Sequence, residues 1–143
     1  MKHSQINWAH LITLGKKLVG KPYVLGAEVN LKDPDTDHIK AIDCSEIVEW
    51  LFAQINIAVP DGSYNQAKVV TRISPGQPIL IGDLGFKWNP ENEGIHHVGI
   101  FIGDDTILEA KGKKWGVVLT PVKDFTASEH FAFWGRLKDI EDA

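Results

Sequence analysis

Apolar residues near the start of the chain recur at mixed three- and four-residue steps, at Ile6, Leu11, Leu14 and Leu18. This predicts an amphipathic helix over residues 6–19, stopped by Gly20 and Pro22. Residues 23–27 read as extended chain or a turn, and residues 28–40, rich in Asp and containing Pro34, as an exposed polar loop. The clearest stripe follows, with Ile47, Val48, Leu51, Phe52 and Ile55 covering one helix face. Asp43 and Glu46 have the spacing of a capping box, so Asp43 is the expected N-cap and Cys44 the first helical residue. Ser63 and Gln66 repeat the signature for a short helix from Tyr64 to about Val70, entered through the turn Pro60, Asp61, Gly62.

Beyond Pro75 the period changes to two. Strands are expected at residues 79–81, 84–88, 95–102, 106–110, 117–122 and 131–137, separated by Gly, Asp, Asn and Pro turns. Helices first and strands after imply an α+β fold, with the Cys44 helix packed on an antiparallel sheet of about five or six strands. No repeat, low-complexity tract or linker interrupts the pattern. With 143 residues, 43% of them hydrophobic, residues 1–143 read as a single domain with one core.

Composition then narrows the partners. A net charge of -4 with lysines scattered along the sequence gives no footprint for nucleic acid or an anionic membrane, so neither is expected as a partner. The polar start, and the break at Gly15, Lys16 and Lys17, give no signal peptide or membrane span to read. A single cysteine leaves no disulfide framework and no cysteine-rich zinc site. No cofactor and no metal are expected. Asp33, Asp35 and Asp37 resemble the opening of a calcium loop, but His38 stands where that loop needs glycine and Cys44 where it needs its closing glutamate, so a solvated loop is the better reading.

The one cysteine is where the chemistry concentrates. A thiol in the first turn of a helix lies among unpaired N–H groups at the positive end of the dipole, which favours thiolate. A nucleophile also needs a base, and the base a group that orients it. In the strand at residues 95–102, alternation puts His97, Gly99 and Phe101 on one face and His96, Val98 and Ile100 on the other. His97 is the candidate base, and Gly99 is expected to leave open space beside its imidazole for a substrate. The turn Gly103, Asp104, Asp105 brings Glu109 roughly opposite His97 on the same face. Glu109 lies between Leu108 and Ala110, where a buried carboxylate needs a partner. Taken singly, each has a plainer reading: a buried apolar cysteine, a satisfied sheet histidine, a solvent-facing glutamate.

The order Lys21-Pro22-Tyr23-Val24-Leu25-Gly26, Asp43-Cys44-Ser45, Gly82-Asp83-Leu84-Gly85-Phe86 and His97-Val98-Gly99-Ile100-Phe101-Ile102-Gly103 resembles the NlpC family of papain-like cell-wall cysteine peptidases. The resemblance spans residues 18–137. It implies a papain-like fold and an endopeptidase that cleaves peptidoglycan stem peptides, typically between D-glutamate, through its side-chain carboxyl, and diaminopimelate or lysine. By position Cys44 would be the nucleophile, His97 the base and Glu109 the orienting residue. Tyr23 would serve the oxyanion together with the Cys44 N–H, with Asp43 and Ser45 beside the substrate. The chain departs from the family pattern at Glu46 and Ala27, where glycine is usual, and at Glu109, where histidine is usual. The alternatives are an amidase acting between muramic acid and L-alanine, and a wall-binding or phage structural module with a degenerate site. Without a readable leader, a phage lysin or a delivered effector is expected, made in the cytoplasm and acting on the wall. Any immunity or delivery partner is left unidentified.

Overall fold

A computed structural model describes residues 1–89, 91 and 94–141. The first helix, α1 (Trp8–Lys17), is shorter at both ends than the apolar spacing predicts. Asn7 starts it, accepting the His10 N–H at 3.1 Å, and Leu11, Leu14 and Leu18 are buried on its inner side.

Helix α2 (Cys44–Gln54) begins where the capping grammar places it. Asp43 is extended and its Oδ1 accepts the Glu46 N–H at 2.9 Å. The Glu46 side chain does not complete a reciprocal box but turns to Glu49 and Asp61. Leu51 and Phe52 of the predicted stripe are wholly buried, and so is Trp50. Trp50 donates through Nε1 to the Asp33 carbonyl at 3.0 Å and Gln54 through Nε2 to the Leu31 carbonyl at 3.0 Å. The segment expected as an exposed polar loop is thereby strapped against α2, and its own Thr36 and Ile39 are buried.

Helix α3 (Ser63–Gln66) runs through a 3-10 turn, Ala67–Val69, into strand β1 (Val70–Arg72). The expected capping role of Ser63 is not taken up. Gly62 stands at the N-cap, and Gln66, fully buried, donates through Nε2 to the carbonyls of Ser45 and Pro60, each at 3.0 Å. Gln66 joins α3 to the first turn of α2.

Strands β2 (Leu84–Asn89), β3 (Gly94–Phe101), β4 (Thr106–Ala110), β5 (Val117–Pro121) and β6 (Phe131–Leu137) complete one antiparallel sheet in the order β1-β6-β2-β3-β4-β5. Residues 79–81 form no strand. The Leu80 N–H bonds at 2.7 Å to Asp83 Oδ2, and Gly82 takes a left-handed φ of 94° under the Trp8 ring, so the chain turns there instead of running straight. Asp83, 1% exposed, also accepts two bonds from Arg136 on β6, at 2.8 and 2.7 Å.

Helices α1 and α2 cover one face of the sheet, where Leu84, Phe86, Val98, Ile100 and Leu108 join their apolar residues in the main core. A short helix that the strand pattern hides, α4 (Val122–Ala127), covers the other face. Its Phe125 is fully buried with Phe101 and Ile107. Gly85 and Gly99, paired across β2 and β3, make the floor for that ring: a Cβ on either would come within 2.7 or 3.1 Å of Phe125. Gly99 therefore does not open space for a substrate; Ile107 and Phe125 fill it.

Candidate active site

The ladder between β3 and β4 ends at Ile100↔Leu108, so Glu109 stands one residue and His97 three residues past the last pair. Helix α2 packs on both strands there and presents Cys44 at its N-terminus. Cys44 is 8% exposed and free. His97 Nε2 lies 2.7 Å from Glu109 Oε1, with side-chain exposures of 14% and 2%, which leaves the other ring nitrogen for the sulfur.

The electrostatics follow from this placement. Burial alone would lower the His97 pKa, but hydrogen bonding and charge from Cys44 and Glu109 outweigh it and raise it from 6.5 to about 9. The imidazole is thus held protonated at neutral pH. Burial raises the Glu109 pKa, yet His97, the Thr120 hydroxyl and the Lys87 charge together bring it below the usual carboxylate value. Neighbouring His96 moves the other way, lowered by burial and then by the charges of His97, His130 and Lys87. The two adjacent histidines are thus shifted in opposite directions.

Around this pair the remaining predicted residues divide. Tyr23, half-buried and bridged to Ile42, lies beside the thiol; burial first, then the charges of Cys44 and Asp43, raise its pKa, so its hydroxyl keeps its proton. Asp43 and Ser45 instead hold the helix mouth. Asp43 Oδ1 accepts the Ser45 hydroxyl at 3.1 Å as well as the Glu46 N–H, and Oδ2 accepts the Gly26 N–H at 3.0 Å. That carboxylate ties the Tyr23–Gly26 segment to the start of α2.

Three neighbours carry no mark in the sequence pattern. Phe125 stands 6.2 Å from the His97 ring, Lys87 lies over Phe125 at 4.4 Å, and Thr120 flanks Glu109. Thr120 is the one a sequence signal could find, since Ile107↔Thr120 and Glu109↔Val118 follow from pairing β5 with β4. Surface cavities of about 680 and 340 Å3 lie elsewhere, along the β1–β6 edge by Arg72 and Trp134 and under the loop by Val29 and Lys40.

Two acidic groups bear on metal binding. In the loop, Asp33 and Asp35 accept backbone N–H groups and flank His38, whose Nδ1 is 2.7 Å from Asp33 and Nε2 3.4 Å from Asp35. These carboxylates serve turns and an imidazole. Glu46, Glu49 and Asp61 lie within 4.8 Å of one another, and burial, then Glu49 and Asp61, raise the Glu46 pKa to about 8. A proton held on Glu46 relieves that repulsion at neutral pH.

Comparison with known proteins agrees with this architecture. Residues 20–135 match the model of the NlpC/P60 family. The chain is 29% identical over 123 residues to the bifunctional muramidase/DL-endopeptidase CwlT of Bacillus subtilis strain 168, covering 85% of this chain and 34% of that protein. It is 32% identical over 126 residues to the "Probable endopeptidase p60" of Listeria grayi, covering 81% and 22%. The chain thus spans about a third of the length of the first relative and about a fifth of the second. Among solved structures, an NlpC/P60 family protein from Bacillus cereus ATCC 10987 superimposes with a TM-score of 0.75 at 22% identity, over 91% of this chain and 40% of that one. The NlpC/p60 domain of the peptidoglycan hydrolase SagA superimposes with a TM-score of 0.68 at 26% identity, over 92% of this chain and all of that one (100%).

Proposed function

This chain belongs to the NlpC/P60 family, and on that premise we propose that it is a cysteine peptidase that hydrolyses peptidoglycan stem peptides at the cell wall, at the bond between D-glutamate and diaminopimelate or lysine. The observation that carries the reading is the buried imidazole with Glu109 on one nitrogen and Cys44 on the other side, raised to a pKa of about 9. That arrangement can hold a thiolate against an imidazolium.

In the proposed reaction the Cys44 sulfur attacks the scissile carbonyl carbon, and the negative charge collects on its oxygen. The Cys44 N–H and the protonated Tyr23 hydroxyl stabilise that oxygen. As the C–N bond breaks, His97 gives its proton to the leaving amine, and an acyl-enzyme remains on sulfur. The now neutral His97 takes a proton from water, whose oxygen displaces the sulfur and releases the acid. Glu109 keeps the imidazole in orientation through both halves, while Asp43 and Ser45 hold the helix mouth in place.

Digestion of defined muropeptides, followed by mass spectrometry, tests the assignment. The expected product carries a new amino group on diaminopimelate or lysine, and Cys44→Ala yields none while keeping the wild-type circular dichroism. A new amine on L-alanine would make the protein an amidase. Undiminished cleavage by Cys44→Ala would remove the thiol from the reaction.

A further inference from the structure

Lysines are scattered along most of the sequence, but three fall together at one tip of the fold. Lys111, Lys113, Lys114 and Trp115 form the turn joining β4 to β5, and it is firmly tied. The Lys111 N–H donates to the Gly116 carbonyl at 2.9 Å, and the Trp115 and Gly116 N–H groups both donate to Gly112, at 3.1 and 2.8 Å. Gly116 seats the turn on Lys21: its φ is 66°, a Cβ there would come 2.6 Å from the Lys21 carbonyl, and that carbonyl accepts the Val117 N–H at 3.0 Å.

The Trp115 ring is 55% exposed, and the ammonium groups of Lys111 and Lys114 each lie 5.0 Å from its centroid. Among the described residues none of Lys21, Lys111, Lys113 and Lys114 pairs with a carboxylate. In a chain of net charge -4 this is a local excess of unneutralised, pre-positioned cations. Its place matters. Lys111 follows Glu109 by two residues, about 7 Å along the strand, and Lys21 precedes Tyr23 by two.

We propose that this turn is a carboxylate-recognition surface for the substrate, in which Lys111 and Lys114, gathered on Trp115, engage free carboxylates of the stem peptide near the cleaved bond. The inference rests on the peptidase reading above and deepens it. An extended peptide advances about 3.3 Å per residue, so groups within a few residues of a carbonyl held at Cys44 reach the turn. Charge complementarity identifies the ligand: a stem peptide is an acid, and the turn offers cations that have no carboxylate partner among the described residues.

Steady-state kinetics on soluble muropeptides with free carboxylates, against the same muropeptides amidated, tests this. The double variant Lys111→Gln/Lys114→Gln is expected to raise KM for the free acid about tenfold, leave kcat alone, and leave the amidated substrate unaffected. Added salt should raise the wild-type KM for the acid and barely move that of the variant. An active wild type with an unchanged variant overturns this inference alone. So does a defect seen on whole walls but not on soluble muropeptides, which would assign the lysines to another wall anion or a membrane. A wild type inert toward both substrates overturns the peptidase reading, and this inference with it.

Discussion

The proton on His97 is the sharpest consequence of single-residue placement. Glu109 is 2% exposed on its side chain and its Oε1 meets the imidazole at 2.7 Å, so neutralising it removes both a charge and the preferred acceptor. Glu109→Gln keeps a hydrogen-bonding oxygen but withdraws the charge that favours the imidazolium. We predict a fall in kcat/KM of about tenfold to a hundredfold for Glu109→Gln and about a thousandfold or more for His97→Ala, because an orienting group is partly dispensable and a base is not. The alkaline limb of the pH–rate profile should move to lower pH in Glu109→Gln. Equal profiles for the variant and the wild type would place Glu109 outside the reaction. Both residues are legible in the amino-acid sequence, through strand alternation and a hairpin turn. Thr120 follows only once β5 is paired with β4, and Phe125 is not legible, because its approach depends on how α4 packs.

Elements bring those residues together, and the sheet face under α4 shows how closely. Gly99 looks from sequence like an opening for substrate, yet a Cβ there would meet Ile107 Cγ2 at 2.5 Å and Phe125 Cε1 at 3.1 Å. Gly99→Ala should therefore destabilise the fold by about 2 kcal/mol, the usual effect of overpacking a filled core, in equilibrium denaturation. It should also lower activity, because Phe125 stands against the His97 ring. An alanine tolerated without loss would mean that α4 yields freely. The same packing explains a missed helix: Pro121 ends β5 and Val122 opens α4, but the β-branched Val117, Val118, Thr120 and Val122 read together as one strand. Residues 79–81 depart in the other direction. Their apolar run is strand-like, and the Asp83 carboxylate and left-handed Gly82 turn the chain there. The helix carrying Cys44 is legible to the residue, since Asp43 caps through a local bond that needs no tertiary context.

At the scale of the whole molecule, two displaced titrations set how stability varies with pH. The folded-state pKa of His97 is raised from 6.5 to about 9, and that of Glu46 from 4.5 to about 8. A raised folded pKa means that the folded state binds the extra proton between the two values, so its stabilisation is complete below the ordinary value and lost as pH climbs through the shifted one. The wild type should accordingly lose thermal stability from mildly acidic pH up to about 9. Glu109 has the opposite sign, and its contribution disappears only in acid. Glu46→Gln mimics the protonated carboxyl beside Glu49 and Asp61, so we predict a melting temperature higher by about 3 °C at pH 8 and unchanged at pH 4.5. A variant that melts below the wild type at pH 8 would show that the cluster holds its charge by other means. The sequence marks Glu46 as a departure from its family but not its neighbours, because Asp61 arrives from a turn beyond the end of α2.

Activation of the sulfur by a protonated imidazole is read from the rate at which Cys44 is alkylated by iodoacetamide at pH 6.5, followed by intact mass. With one thiol in the chain the signal has a single source. The wild type is expected to react at least tenfold faster than His97→Ala, whose Cys44 keeps the same helix mouth but lacks the cation beside it. Equal rates in the two proteins would contradict it.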